Sequence, residues 1–166
     1  MLIYRAATGA DISAMWELRT LAVRAGCAAH YPAAVIETWC ASAPPASLPL
    51  LVELGSAMVA QEDGRVVGFA VLDRARGEVY AAFVDPAHQG RGIALDLLRR
   101  LEALAQAHRL ERLFLSAALN AVGFYERAGF VRVRDEVVAH RSGIGIYSVF
   151  MEKMLPPACD GGVALR

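Results

Sequence analysis

The stretch Val84-Asp85-Pro86-Ala87-His88-Gln89-Gly90-Arg91-Gly92-Ile93-Ala94 joins a short apolar run, Val79 to Val84, to a strongly periodic segment, Ile93 to Ala107. That order reads as strand, tight glycine-rich turn, helix. The turn carries two glycines, a cation at Arg91 and no acidic residue after Asp85. Backbone N–H groups in such a turn, backed by the partial positive charge of a helix start, converge on one anionic ligand. A phosphate or pyrophosphate site is the first expectation.

Working outward, Ile93, Leu97, Leu98, Leu101, Leu104 and Ala105 recur at helical spacing, while Arg99, Arg100, Glu102 and Gln106 lie mostly elsewhere. Arg112 to Ser116 then reads as a strand parallel to the one from Glu78 to Val84, since a helical crossover makes a right-handed unit. Upstream, Ala57 to Gln61 and Arg65 to Asp73 flank Glu62-Asp63-Gly64, and an Asp-Gly pair between apolar runs predicts a hairpin. Arg74 to Gly77 turns the chain into the strand that opens at Glu78. Leu2 to Ala7 is a first strand, and Thr8 with Asp11 three residues on predicts a helix start. That helix should run to about Gly26. Pro32 suits the first turn of a second helix bearing Val35, Ile36 and Trp39, which ends at Ala43-Pro44-Pro45-Ala46. Ser47 to Ser56 is read as a short helix. Downstream, Asn120 to Arg127 predicts a helix capped at Gly129. Phe130 to Ala139 and Ile144 to Met154 pair around Ser142-Gly143. Residues 1–155 make one domain, and Pro156 onward reads as a flexible tail.

Composition narrows the classes. The chain has 166 residues, 56% hydrophobic and 20% charged, which suits one ordered, core-rich domain. Its 17 basic and 17 acidic side chains cancel, so no global field draws it to nucleic acid or to a membrane surface. Cys27, Cys40 and Cys159 are too few and too scattered for a disulfide framework and suit a reducing compartment. Cys27 and His30 have ligand-like spacing, but no second pair completes a metal site. No signal peptide is evident, and the uncharged run between Glu37 and Glu53 is broken by Pro44, Pro45 and Pro49. A cytoplasmic location is expected.

Two familiar owners of a phosphate fail on the residues. The dinucleotide fingerprint needs a third glycine where Leu95 stands, and Glu111 opens the next strand instead of closing it. A Walker loop needs Gly-Lys-Ser/Thr, which is absent. The spacing Gln89-x-x-Gly92-x-Ala94 after Val84-Asp85-Pro86 instead resembles the acyl-coenzyme-A pyrophosphate loop of the GNAT superfamily, the GCN5-related N-acetyltransferases. Ser116 to Phe130, with Asn120 and Phe124-Tyr125-Glu126-Arg127-Ala128-Gly129-Phe130, resembles that family's second segment. The ending Met151-Glu152-Lys153-Met154-Leu155 is similar to that of many bacterial members. The three segments stand in family order.

The resemblance implies an α/β (α+β) GNAT fold. Its mixed, mostly antiparallel sheet would be splayed between the fourth and fifth strands, with helices on both faces. It implies acetyl-CoA as co-substrate, no metal, and direct acetyl transfer to a primary amine in a ternary complex. The pantetheine arm would bond to backbone around Phe83 and Val84. The pyrophosphate would rest on the N–H groups of Gln89, Gly90, Arg91, Gly92, Ile93, Ala94 and Leu95, where small side chains permit close approach. An N–H near Phe83 or Val84 is the candidate oxyanion donor. Tyr125 matches the position whose phenol lies near the sulfur and acts as general acid; packing between Phe124 and Phe130 is its other reading. Asn120 matches a position that contacts pantetheine, and a helix N-cap is equally compatible.

For the base, Glu78 lies on the strand where some relatives carry a catalytic carboxylate, and a surface glutamate beside a turn is the plainer reading. His140 and His30 are further candidates because imidazole titrates near neutrality. His88 belongs beside the phosphate loop. The acceptor would be set by the first two helices, the loop from Ala43 to Pro49 and the last strands, which hold His30, Tyr31, Trp39, His140 and Tyr147 but few carboxylates. That disfavours a polycationic acceptor and leaves a small amine, an amino-acid-like amine or a peptide amine. A homodimer is compatible with the apolar content. A non-catalytic acyl-CoA sensor on the same fold is the alternative function.

Overall fold

The computed structural model describes residues 1–158; Cys159 and the rest of the expected tail lie outside the described residues. The strands are β1 (Leu2–Ala6), β2 (Ala57–Glu62), β3 (Arg65–Asp73), β4 (Glu78–Val84), β5 (Arg112–Ala118), β6 (Val131–Ala139) and β7 (Gly145–Met154). The helices are α1 (Ile12–Cys27), α2 (Ala33–Cys40), α3 (Ser47–Glu53), α4 (Ile93–Ala107) and α5 (Val122–Arg127). The seven strands form one sheet in the order β1-β2-β3-β4-β5-β7-β6, antiparallel except where β4 meets β5. The expected fold class holds, including the parallel step across α4 and the short helix α3. None of the described helices is long and apolar enough to cross a membrane.

Local chemistry explains the order. Asp63 and Gly64 both take positive φ, +48° and +82°, as the two-residue hairpin between β2 and β3 requires. Thr8 and Asp11 form the capping box, but the chain first makes a 3-10 turn at Gly9–Asp11, so α1 begins at Ile12. Arg5 clamps the Asp11 carboxylate with two bonds of 2.7 and 2.8 Å, fastening β1 to that turn. The start of α5 lies two residues later than expected, because the Ala121 amide bonds the Ala118 carbonyl at 2.8 Å and folds Leu119 and Asn120 into a turn.

Two cores sandwich the first half of the sheet. Met15, Leu18, Leu48 and Val52 of α1 and α3 pack on Val59, Phe69 and Val71. On the other face Ile93, Leu97, Leu98 and Leu101 of α4 pack on Ala70, Leu72, Leu115 and Met151. The side chains of β3 alternate between them, as a strand buried on both faces must. Gly68 is where α4 comes closest: a Cβ there would stand 3.0 Å from Ile93 and 3.1 Å from Leu97. That approach brings the first turn of α4 against the end of β4. A third cluster, with Val23, Cys27, Tyr31, Ile36 and Ile146, also takes in Trp39, Phe83 and Leu119. It ties α1 and α2 to both halves of the sheet. The Tyr31 hydroxyl clinches the tie, donating to the Tyr147 carbonyl at 2.5 Å and accepting from the Leu119 amide at 3.0 Å.

Candidate active site

β4 and β5 meet in register at one pair, Glu78 opposite Phe114, with the Phe114 amide bonded to the Gly77 carbonyl at 3.0 Å. Beyond that pair β5 bonds β7 along its whole length, from Arg112–Met154 to Ala118–Ser148. β4 stays with β3. The sheet therefore opens toward the C-terminal ends of its two parallel strands.

The register tells which groups face the opening. The Asp85 amide donates to the Val67 carbonyl at 2.9 Å, so alternation directs the main chain of Phe83 and Ala81 toward β3 as well. Val84 and Ala82 then present N–H and C=O to the gap. Of the two residues expected to offer backbone there, Val84 does so and the Phe83 amide belongs to the β3 ladder. The pairing also slips by one between Val71–Ala81 and Leu72–Val79, leaving Tyr80 as an extra residue. A bulge of this kind twists the strand and breaks its ladder beside the opening.

At the head of the gap stands the glycine turn. Asp85 caps the short 3-10 turn Pro86–His88 by accepting from the Ala87 amide at 2.8 Å. Gly90 and Gly92 then take φ of +75° and +79°, and α4 begins at Ile93. Among the described residues no backbone N–H from Gly90 through Leu95 donates to a main-chain carbonyl; the first helical bond runs from Asp96 to Gly92 at 3.0 Å. A Cβ built on either glycine would meet nothing within 4 Å, so the unspent amides open onto free space. That is the geometry of an anion cradle. Arg91, expected to lend it charge, is instead held by Glu62 at the end of β2 through bonds of 2.9 and 2.7 Å. The Arg91 guanidinium holds the Glu62 carboxyl down to about 2. His88 joins the same carboxylate at 3.2 Å. The cradle's pull on an anion thus comes from its amides.

Tyr125 lies in α5, behind β5. Its ring packs edge-on between Phe124 and Phe130, with centroids 5.1 and 5.5 Å away, and it is 7% exposed. The packing reading of Tyr125 is the one the geometry displays, and its hydroxyl has no hydrogen-bond partner among the described residues. Burial pushes the phenol up to about 12, so it stays protonated and able to donate. Its backbone is fixed by the helix end, where the Phe130 amide bonds the Tyr125 carbonyl at 2.9 Å and Gly129 takes φ of +97°. Asn120 does not cap α5. It is exposed, and its Oδ1 accepts from the Cys27 thiol at 3.3 Å. Burial pushes that thiol up to about 11.

Glu78 is no solvated turn residue. Its side chain is 19% exposed, and Arg76 Nη1 approaches Oε2 to 2.8 Å, near enough to pair but out of line for a hydrogen bond. Burial, with Asp73 and Glu136 nearby, raises its carboxyl above the usual range against the pull of Arg76. It stands where β4 and β5 part. His140 lies elsewhere, in the turn between β6 and β7, bonded to Ser142 Oγ at 2.7 Å. Burial and the neighbouring Arg141 and Arg19 lower it. His30 is exposed between α1 and α2.

Sequence reasoning missed Arg19, which sits on the apolar face of α1 and is only 3% exposed. Its position between Leu18 and Val23, in step with Met15, is the pattern that marks it.

The matched family model is the acetyltransferase (GNAT) domain, covering residues 27–155. No curated protein matches the sequence. A GCN5-related N-acetyltransferase from Rhodopseudomonas palustris superposes with a TM-score of 0.82 at 24% identity, over 92% of this chain and 95% of that one. The PaiA N-acetyltransferase of Thermoplasma acidophilum, in complex with coenzyme A, gives 0.69 at 18% identity over 93% and 99%. YncA of Salmonella typhimurium, with acetyl-CoA, gives 0.66 at 24% over 96% and 99%. The split sheet, the glycine cradle and the matched domain agree: the chain belongs to the GNAT acetyltransferase family.

Proposed function

We propose that this protein is an acetyl-CoA-dependent N-acetyltransferase that moves the acetyl group directly to a primary amine in a ternary complex. The observation that carries the reading is the run of unspent amides from Gly90 to Leu95 at the head of the gap between β4 and β5. Its fit to a pyrophosphate is supported by the open space over Gly90 and Gly92. In the solved relatives, PaiA is a complex with coenzyme A and YncA one with acetyl-CoA.

The chain's own groups divide the work. The Ala82 main chain and the Val84 carbonyl, both facing the gap, bond the pantetheine arm as an added strand would. The Val84 N–H stabilises negative charge on the thioester oxygen during attack, a contact worth roughly 3–4 kcal/mol in comparable sites. Glu78, with one oxygen lacking a hydrogen bond and its carboxyl raised by burial, takes a proton from the incoming ammonium through intervening water, since most of β4 separates it from Val84. The free amine attacks the thioester carbonyl carbon, a C–N bond forms, the C–S bond breaks, and the proton that the nitrogen sheds on becoming an amide passes to the departing thiolate. Tyr125 donates its hydroxyl hydrogen bond to the departing sulfur. At about 12 the phenol lies above an ordinary thiol near ~8.5, so it steadies the thiolate more readily than it surrenders its proton.

Free-thiol release from acetyl-CoA, followed across a panel of primary amines, tests the reading. Amine-dependent release supports it. Tight coenzyme-A binding with no release across the panel would favour a non-catalytic sensor.

A further inference from the structure

Arg19 is a buried cation whose bonded partners among the described residues are all neutral. Its Nη2 donates to the Trp39 carbonyl at 2.9 Å and to Ser42 Oγ at 3.1 Å, and its guanidinium lies 4.4 Å from the Trp16 ring centre. Those neutral partners answer one nitrogen and the flat face. Nη1 is buried and bonds nothing, and no carboxylate pairs with Arg19 among the described residues. A buried charge left this way is unfavourable, and a guanidinium fork suits two-point binding of a carboxylate.

The surroundings repeat the sign. Arg141, from the turn between β6 and β7, reaches the Ala43 carbonyl and lies 6.0 Å from the same Trp16 ring. His140 feels both arginines. Two segments distant in sequence, α1 and the β6–β7 turn, thus bring Arg19 and Arg141 to the neutral oxygens of the loop after α2, with no carboxylate bonded to either among the described residues. The cluster adjoins the proposed site. Trp39, whose carbonyl holds Arg19, packs in the same cluster as Phe83 at the end of β4 and Leu119 just past β5.

We infer that the amine acceptor carries a carboxylate, held by Arg19 and Arg141, so that the substrate is a free amino acid or another small aminocarboxylate. This rests on the acyl-transfer reading above. On binding, the carboxylate replaces the Ala43 carbonyl as the partner of Arg141 and meets the unspent Nη1 of Arg19, while Trp16 keeps its place against the guanidinium. Arg141 is exposed and bonded to the loop only through the Ala43 carbonyl, so releasing that one contact frees its guanidinium for the carboxylate.

The chain's two tryptophans, Trp16 and Trp39, both stand at this cluster, so intrinsic fluorescence reports on it independently of turnover. Alanine, methionine, lysine and phenylalanine are titrated against the amines left by removing their α-carboxyl groups, with coenzyme A bound. Thiol release from acetyl-CoA is measured on the same pairs. Expected is a saturable fluorescence change with at least one amino acid and little with its matched amine. That amino acid should have a KM lower by about tenfold or more. Arg141→Ala, an exposed position, should erase the difference by raising the amino acid's KM while kcat stays within about twofold, and Arg19→Lys should do so in part. Equal handling of each pair, no fluorescence response, or an unchanged preference in Arg141→Ala overturns the inference. Amines acetylated without carboxylate preference would leave acyl transfer standing and this inference refuted. Fluorescence changes without thiol release would refute the acceptor role through failure of transfer itself.

Discussion

Glu78 faces Phe114 at the one register position that joins β4 to β5, and the carboxylate there keeps an oxygen that no hydrogen bond satisfies. The point where the sheet begins to open is thus also where a half-buried acid stands, near Arg76 in charge but outside any hydrogen bond at that oxygen. Ionising it is unfavourable in that setting, and a folded protein retains such a group where its charge change is used.

Glu78→Gln should separate activity from stability. As a base, Glu78 must be ionised, so kcat/KM should fall as pH drops through a value raised above the usual carboxylate range. The Gln variant should lose that limb and about 100-fold in rate. The stability sign is opposite to that of a salt-bridged acid. A raised folded value means full stability below the unfolded value and loss as pH rises through the folded one. Glu78→Gln should therefore unfold at a higher temperature than the parent at pH 7–8, with the gain vanishing near pH 4. A pH series of melting curves checks this.

Tyr125→Phe should slow the chemical step by about 10- to 100-fold, the worth of one hydrogen bond to a charged group. The ring that packs against Phe124 and Phe130 remains, and the hydroxyl has no partner to lose among the described residues, so Tm should move by no more than about 2 °C. Coenzyme-A affinity should stay within about twofold. Single-turnover thiol release with parallel calorimetry reads all three. An unchanged single-turnover rate would remove Tyr125 from the chemistry.

How much of this was legible in the sequence follows from range. The glycine turn, the Asp63-Gly64 hairpin and the α4 face are local patterns, and they stand where the residues place them. The start of α5 was misplaced because Asn120 is a good cap in isolation, while the Cys27 thiol, 93 positions away, draws its side chain aside. Arg91 looked free for phosphate because its partner Glu62 belongs to another hairpin, 29 positions back. Burial of Arg19 and Glu78 depends on how α1, α2 and the split sheet close together, which no window of sequence contains.

Asp11→Asn should cost about 1–3 kcal/mol at neutral pH, since it breaks a two-point bond to Arg5 and the Thr8 cap of a residue only 8% exposed. Arg5 first, then Thr8, hold this carboxyl far below its ordinary value. The stability it contributes is present above the unfolded value and lost as pH falls toward the folded one. Urea titrations of parent and variant at pH 7 and pH 3 should show the gap narrowing in acid.

Gly92→Glu places a side chain and a negative charge where the cradle is open and φ is +79°. Strain at that φ should lower stability by about 1 kcal/mol. Coenzyme-A affinity should drop at least about tenfold through repulsion of the phosphates. Calorimetric titration checks it, and unaltered affinity would misplace the pyrophosphate.

Amide hydrogen exchange with and without coenzyme A tests the seat of the cofactor most directly, because the groups in question are backbone N–H groups. The unspent amides from Gly90 to Leu95 should exchange more slowly on binding, together with Val84 on the gap side of β4. Binding of coenzyme A that leaves residues 90–95 unprotected, or protects only other segments, would contradict the assignment.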